Sequence, residues 1–211
     1  MGGMEKLLAR IEKTKKSGIK ETIDSRMRGF GEAGKGNEER IFSELCFCLL
    51  TANFNAERSI RIQNEMGKEF HCMPNEKLRG KLRALGHRFP NRRADFICEA
   101  RQHKHKLKGI IESAKDEREL RNWLAENVKG LGLKEASHFL RNIGFGNVAI
   151  IDFHIADILA ENGLIEKQKA VTKNKYFEIE KVLEKIAEKA KMSLAELDLY
   201  LWYLETGKVL K

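Results

Sequence analysis

The most specific chemistry in this chain lies in KGLGLKEASHFLRNIG, residues 129–144, where Gly130 and Gly132 flank Leu131 and Lys134 follows two residues later. Glycines so spaced permit a tight turn and let the backbone approach a partner closely. The amides that open the second helix face outward at its positive dipole end, which makes a seat for a phosphate. An ordinary helix–helix connection has the same pattern, so the glycines alone decide nothing. Lys134 falls in the first turn of that helix, where the dipole disfavours an ammonium and acids are the usual occupants. A partly desolvated lysine so placed supplies the neutral amine that a nucleophile needs. Asp152, in IIDFHIADIL, stands where a carboxylate caps the next helix. A fixed carboxylate also stabilises the positive charge that builds on a sugar ring when its base is displaced. Lysine and aspartate together suit glycosidic chemistry.

These residues need a scaffold, and the composition describes one. Leu, Ala, Glu, Lys and Arg dominate the 211 residues, with only two prolines, which predicts an all-α protein. Forty Lys and Arg against thirty-one Asp and Glu leave a formal charge of +9, so a polyanion such as nucleic acid is the leading partner. Cys46, Cys48, Cys72 and Cys98 lack the C-x-x-C pairs of a zinc site and the close-spaced quartet of an iron–sulfur cluster. They read as reduced, mostly buried thiols, and no metal is expected. No apolar run reaches transmembrane length, and the Met-Gly-Gly-Met-Glu start has no apolar signal stretch, so an intracellular, cytoplasmic protein without a membrane partner is expected.

Helical periodicity runs through nearly the whole chain. Leu7, Leu8 and Ile11 mark a first helix, and Gly29 to Gly36 read as a flexible glycine-rich break. Gly29, Gly34 and Lys35 imitate a phosphate-binding loop, but Gly36 replaces the magnesium-binding Ser/Thr and no apolar strand precedes it. An apolar core helix is predicted from Asn37 to about Thr51, and others near 56–69, 75–85, 92–106 and 116–127. After the glycine turn, Ala136, Phe139, Leu140 and Ile143 fall on one side of the helix, with Lys134, His138 and Arg141 on the other. That reads as a core face opposite a basic, imidazole-bearing strip. Gly144 ends this helix, Asp152 opens one that runs to Gly163, and two more follow near 174–191 and 193–205.

GLGLKEASHFLRNIG followed by VAIIDFHIADIL resembles the signature of the helix-hairpin-helix DNA glycosylases. With LCFCLLTANFNAERSIRIQNEMG and the absent cluster cysteines, the chain more narrowly resembles the compact archaeal-type 8-oxoguanine DNA glycosylases with lyase activity, from about residue 37 to the end. The resemblance implies a two-lobed, all-α fold with the active-site cleft between the lobes. It implies one unit over 1–211, with approximate lobes 37–149, including the hairpin 117–143, and 1–36 plus 150–211. It makes Lys134 the nucleophile that attacks C1′ of an extruded 8-oxoguanine nucleotide and Asp152 the charge-stabilising partner. A Schiff base and β-elimination then cut the strand on the 3′ side, with no metal or organic cofactor. The implied partner is double-stranded DNA containing oxidised guanine, bound by a monomer.

Further positions follow from the same resemblance. Gly130, Gly132 and His154 contact backbone phosphate, and Asn53 and Arg58 meet the estranged opposite base. Asn53 also suits the end of the helix that begins near residue 37. Phe89, in the basic turn GHRFPNRR, matches an aromatic wedge, although a buried Phe beside Pro90 has the same pattern. His138, one helical turn beyond Lys134, lines the base pocket if Lys134 reaches the sugar. Trp202 and Lys211 stand where the chain terminus closes over the base, while a Trp in a final amphipathic helix is also a core residue. Two other readings stay open: a glycosylase/lyase for another oxidised base, and a non-catalytic hairpin module that holds DNA through phosphates alone.

Overall fold

A computed structural model describes residues 2–211; Met1 lies outside them. Among the described residues there is no strand, as the composition predicts. The helices are α1 (Gly3–Lys15), α2 (Ile19–Gly34), α3 (Glu38–Thr51), α4 (Ala56–Met66), α5 (Asn75–Ala84) and α6 (Pro90–Ala100). They continue with α7 (Leu107–Ser113), α8 (Glu117–Asn127), α9 (Leu133–Asn142), α10 (Phe153–Glu161), α11 (Lys173–Ala190) and α12 (Leu194–Thr206). Short 3-10 turns occupy Gly67–His71 and Arg101–His103. No described helix is long and apolar enough to cross a membrane.

The chain divides into two compact units. One comprises the residues up to Gly29 together with Phe145–Leu210; the other comprises Phe30–Gly144 together with Lys211. The second unit is built around α3, whose residues Leu45 to Leu50 are all fully buried. A helix apolar on every side must be surrounded, and α4, α6, α7 and α9 pack against it. Asn37 caps its start, accepting the Arg40 amide at 3.0 Å on Oδ1. Helices α5 and α6 pair, and so do α8 and α9, the two arms of the hairpin. In the first unit, Leu7 and Ile11 of α1 pack with α11 and α12, and Ile155, Ile158 and Leu159 bury the inner face of α10.

Several sequence expectations need correction. The glycine-rich break at Gly29 to Gly36 is mostly helix, because α2 runs through to Gly34. Each glycine costs a helix about 1 kcal/mol against alanine, which burial and close backbone packing offset here. Phe30 and Ala33 are buried, a side chain on Gly34 would meet the Ile143 carbonyl oxygen at 2.0 Å, and one on Gly144 would lie 3.0 Å from Gly31 Cα. The helix expected over 92–106 stops at Ala100, and a separate helix, α7, follows it. On α9 the side opposite the expected core face is covered too, since His138 and Arg141 are buried with everything else from Ala136 to Asn142. Arg141 spreads over the Phe30 ring at 5.0 Å, and His138 meets the edge of Phe47 at 5.5 Å. Of the four free cysteines, Cys46 and Cys48 are buried as expected, whereas Cys98 is half-buried and Cys72 exposed.

Candidate active site

The hairpin turn runs from the end of α8 to the start of α9, and Gly130 is its sharpest point. Its φ is +95°, and a side chain there would lie 2.3 Å from Phe96 Cδ2 of α6, so conformation and space both demand glycine. Leu131 N–H donates to the Val128 carbonyl at 3.1 Å and closes the turn. Gly132 is the N-cap of α9 and has no side chain to cover the first-turn amides, which stay open at the positive end of the helix. Its own N–H is engaged, donating at 3.2 Å to Glu135 Oε2. A phosphate at this turn therefore meets the later amides of α9 or displaces Glu135.

Lys134 is the second residue of α9, one-quarter exposed, with Nζ 3.6 Å from Glu135 Oε1. One turn on, His138 is buried, and Lys134, Arg141 and Lys211 surround it with positive charge. Burial first, and then these cations, push the imidazole well below its ordinary range, so it is neutral. Its Nε2 lies 3.4 Å from the backbone oxygen of Lys211, and a neutral ring with the proton on Nε2 donates there. Lys211 itself folds into the second unit. Its ammonium meets Glu44 Oε1 at 2.6 Å and Gln63 Oε1 at 2.7 Å, and it stands 4.7 Å from the centre of the Phe47 ring. Lys134, His138 and Lys211 thus gather in one part of this unit, with Glu44 as counter-charge.

Asn53 and Phe89 form a second group there. Asn53 lies two residues beyond α3 in the left-handed region, φ 56°, and is exposed. Phe89 is the N-cap of α6, half-buried, with Arg88 over its ring at 5.0 Å. Arg58 is exposed on α4, whose N-cap Asn55 accepts the Arg58 amide at 3.0 Å.

The first unit carries the remaining group. Asp152 is the N-cap of α10, and its Oδ1 accepts the Ile155 amide at 3.0 Å, so the capping expected from sequence is present. The other carboxylate oxygen takes no part in that cap. His154 is half-exposed, 3.9 Å from Glu205 Oε1, and meets Trp202 edge-on at 4.8 Å. Trp202 is half-buried, with its indole nitrogen buried and without a partner. Phe153, between Asp152 and His154, is 61 % exposed.

Sequence reasoning missed the residues that hold these groups. Glu135 had a signal, being an acid three positions after the cap glycine. Glu44 had one too, a lone carboxylate in the apolar run FSELCFCLL. Phe96, His87 and Arg93 had none, because the backbone at Gly130, Leu50 and Ala52 that each of them meets lies distant in sequence. Among the described residues, no group of three or more His, Cys, Asp or Glu side chains is arranged to hold a metal ion.

Known proteins match this chain along nearly all its length. The family model for 8-oxoguanine DNA glycosylase with a helix-hairpin-helix matches residues 23–192. The 8-oxoguanine DNA glycosylase/AP lyase of Korarchaeum cryptofilum is 51 % identical over 99 % of this chain and 100 % of its own length. That of Methanocaldococcus jannaschii is 50 % identical, and its crystal structure with a 15-mer DNA containing 8-oxoguanine superposes with a TM-score of 0.94 over 97 % of this chain and 99 % of its own. The crystal structure of the Thermotoga maritima 8-oxoguanine DNA glycosylase, 45 % identical, gives 0.92 over 99 % of this chain and 100 % of its own. The chain belongs to the helix-hairpin-helix 8-oxoguanine DNA glycosylase family.

Proposed function

We infer that this protein is a bifunctional DNA repair enzyme that excises 8-oxoguanine from double-stranded DNA and then cuts the strand as an AP lyase. The observation that carries the reading is Lys134, set in the first turn of α9 directly behind the glycine turn. It stands in a chain about half identical, from end to end, to 8-oxoguanine DNA glycosylase/AP lyases. Residues 1–211 act in this reading as one glycosylase unit working as a monomer, in the intracellular compartment where its DNA substrate lies.

The residues supply each step. The open amides of α9 and the turn at Gly130 and Gly132 hold a backbone phosphate, with His154 as a second contact. The lesion is extruded, because C1′ cannot be reached within the base stack. Phe89 fills the gap, while Asn53 and Arg58 meet the estranged base. His138 and Lys211 contact the oxidised purine, and Trp202 is a further contact to it. Lys134, once deprotonated, donates its lone pair to C1′ as the C1′–N9 bond breaks and its electrons leave with the base. The Asp152 carboxylate, held by its cap to the α10 amide, stabilises the positive charge on the sugar as that bond lengthens. Ring opening gives a Schiff base between Lys134 and C1′. Loss of a C2′ proton then drives the C3′–O3′ bond to break and releases the 3′ strand.

The test is strand cleavage on a duplex with a single 8-oxoguanine. Wild type should leave a β-elimination terminus 3′ to the lesion, and Lys134→Gln should leave the strand intact. Cleavage by the variant at the wild-type rate would remove Lys134 from the reaction.

A further inference from the structure

Two turns of the second unit carry Asn53 and Phe89, and two buried side chains tie these turns together. His87 is one of them. Its Nε2 lies 3.0 Å from the Leu50 carbonyl oxygen, and its Nδ1 lies 3.0 Å from the Phe89 N–H. An amide only donates, so Nδ1 accepts from Phe89 and the proton sits on Nε2, donated to Leu50. Only the neutral ring in that one tautomer makes both bonds. Its face lies 4.1 Å from the Phe54 ring, directly after Asn53.

Arg93 is the other, 6 % exposed. It donates through Nη2 to the Ala52 carbonyl, and its guanidinium stands 5.9 Å from the Phe89 ring and 5.7 Å from Phe96. Its Nε is buried without a partner. Burying a guanidinium so incompletely paired is costly, and a core position would be better served by an apolar residue. Leu50 and Ala52 carry carbonyls left over at the end of α3, so both side chains fasten the chain just before Asn53 enters its left-handed conformation. Phe96, beneath Arg93, also fills the space against Gly130.

We propose that His87 and Arg93 are positioning residues that hold Asn53 and Phe89 as one rigid platform for the gap left by an extruded base. This rests on the reading of Phe89 and Asn53 as duplex contacts. The platform acts when a paired lesion leaves the stack, since the wedge must be in place as pairing is lost. A lesion with no pairing partner needs much less help.

Single-turnover excision separates these cases, with 8-oxoguanine placed opposite cytosine or opposite an abasic analogue and rates normalised to active enzyme. His87→Phe keeps a ring but neither hydrogen bond, and Arg93→Met keeps length without a donor. Each should lose about tenfold or more on the paired substrate and less than about threefold on the unpaired one, with Arg93→Lys recovering part of the loss. Equal losses on both substrates, or no loss, overturn the proposal. Phe89→Ala reports on the underlying reading: if it fails to discriminate the substrates, the wedge role falls, whereas discrimination by Phe89→Ala alone leaves the wedge and removes the platform.

Discussion

Gly130→Ala is the sharpest perturbation of the hairpin. The backbone at 130 has φ +95°, a region in which an L side chain costs on the order of 1–2 kcal/mol. The new methyl carbon would also stand 2.3 Å from Phe96 Cδ2, against the about 3.5–4.0 Å of normal carbon contact, so the ring must move. Forcing a packed side chain aside adds about 1–3 kcal/mol, for a total of roughly 2–5 kcal/mol. At about 2–4 °C per kcal/mol for a chain of this size, the Tm should fall by roughly 4–20 °C. In the proposed function the same turn seats a phosphate, so affinity for duplex DNA at a fixed salt concentration should fall as well. Thermal unfolding by circular dichroism and a fluorescence-anisotropy titration measure the two effects. Adding Phe96→Leu should return part of the stability by relieving the overlap, and leave the backbone part in place. A Gly130→Ala protein with unchanged Tm and unchanged affinity would refute the reasoning.

Asp152→Asn separates capping from chemistry: Asn caps as well as Asp, so stability should stay within about 0.5 kcal/mol, while excision in single-turnover assays should fall by about 100-fold or more. Glu44→Ala leaves the Lys211 ammonium without its carboxylate in a mostly buried position, and should cost about 3 kcal/mol in urea unfolding. His87 and His138 are held below their ordinary range, chiefly by burial. Above pH about 6.5 each is neutral in both states and contributes nothing to the pH dependence; below it the unfolded chain takes up protons that the folded one refuses, so stability falls with pH. Urea midpoints between pH 8 and 5 should show this loss, with a shallower slope in His138→Phe.

The parts of the structure legible in sequence are those set by local rules. The start of the apolar α3 at Asn37, the cap at Asp152 and the glycine turn at 130–132 all follow from residue type and spacing. What escaped depends on partners distant in the chain. Periodicity places His138 and Arg141 opposite the core face, and nothing local reveals that Phe47 and Phe30 will cover them. Propensity reads Gly29 to Gly36 as a break, because it cannot register that Gly34 lies against Ile143 and Gly144 against Gly31. The links from His87 and Arg93 end on backbone carbonyls, which leave no mark on composition.

The role of Lys134 is tested most directly by borohydride trapping on a duplex containing 8-oxoguanine, followed by peptide mapping of the adduct. Wild type should give a covalent protein–DNA species attached at Lys134, with Lys134→Gln giving none while it still binds the duplex. An adduct mapped to a different lysine, or no adduct from a folded wild-type enzyme that cleaves the strand, would contradict the Schiff-base route through Lys134.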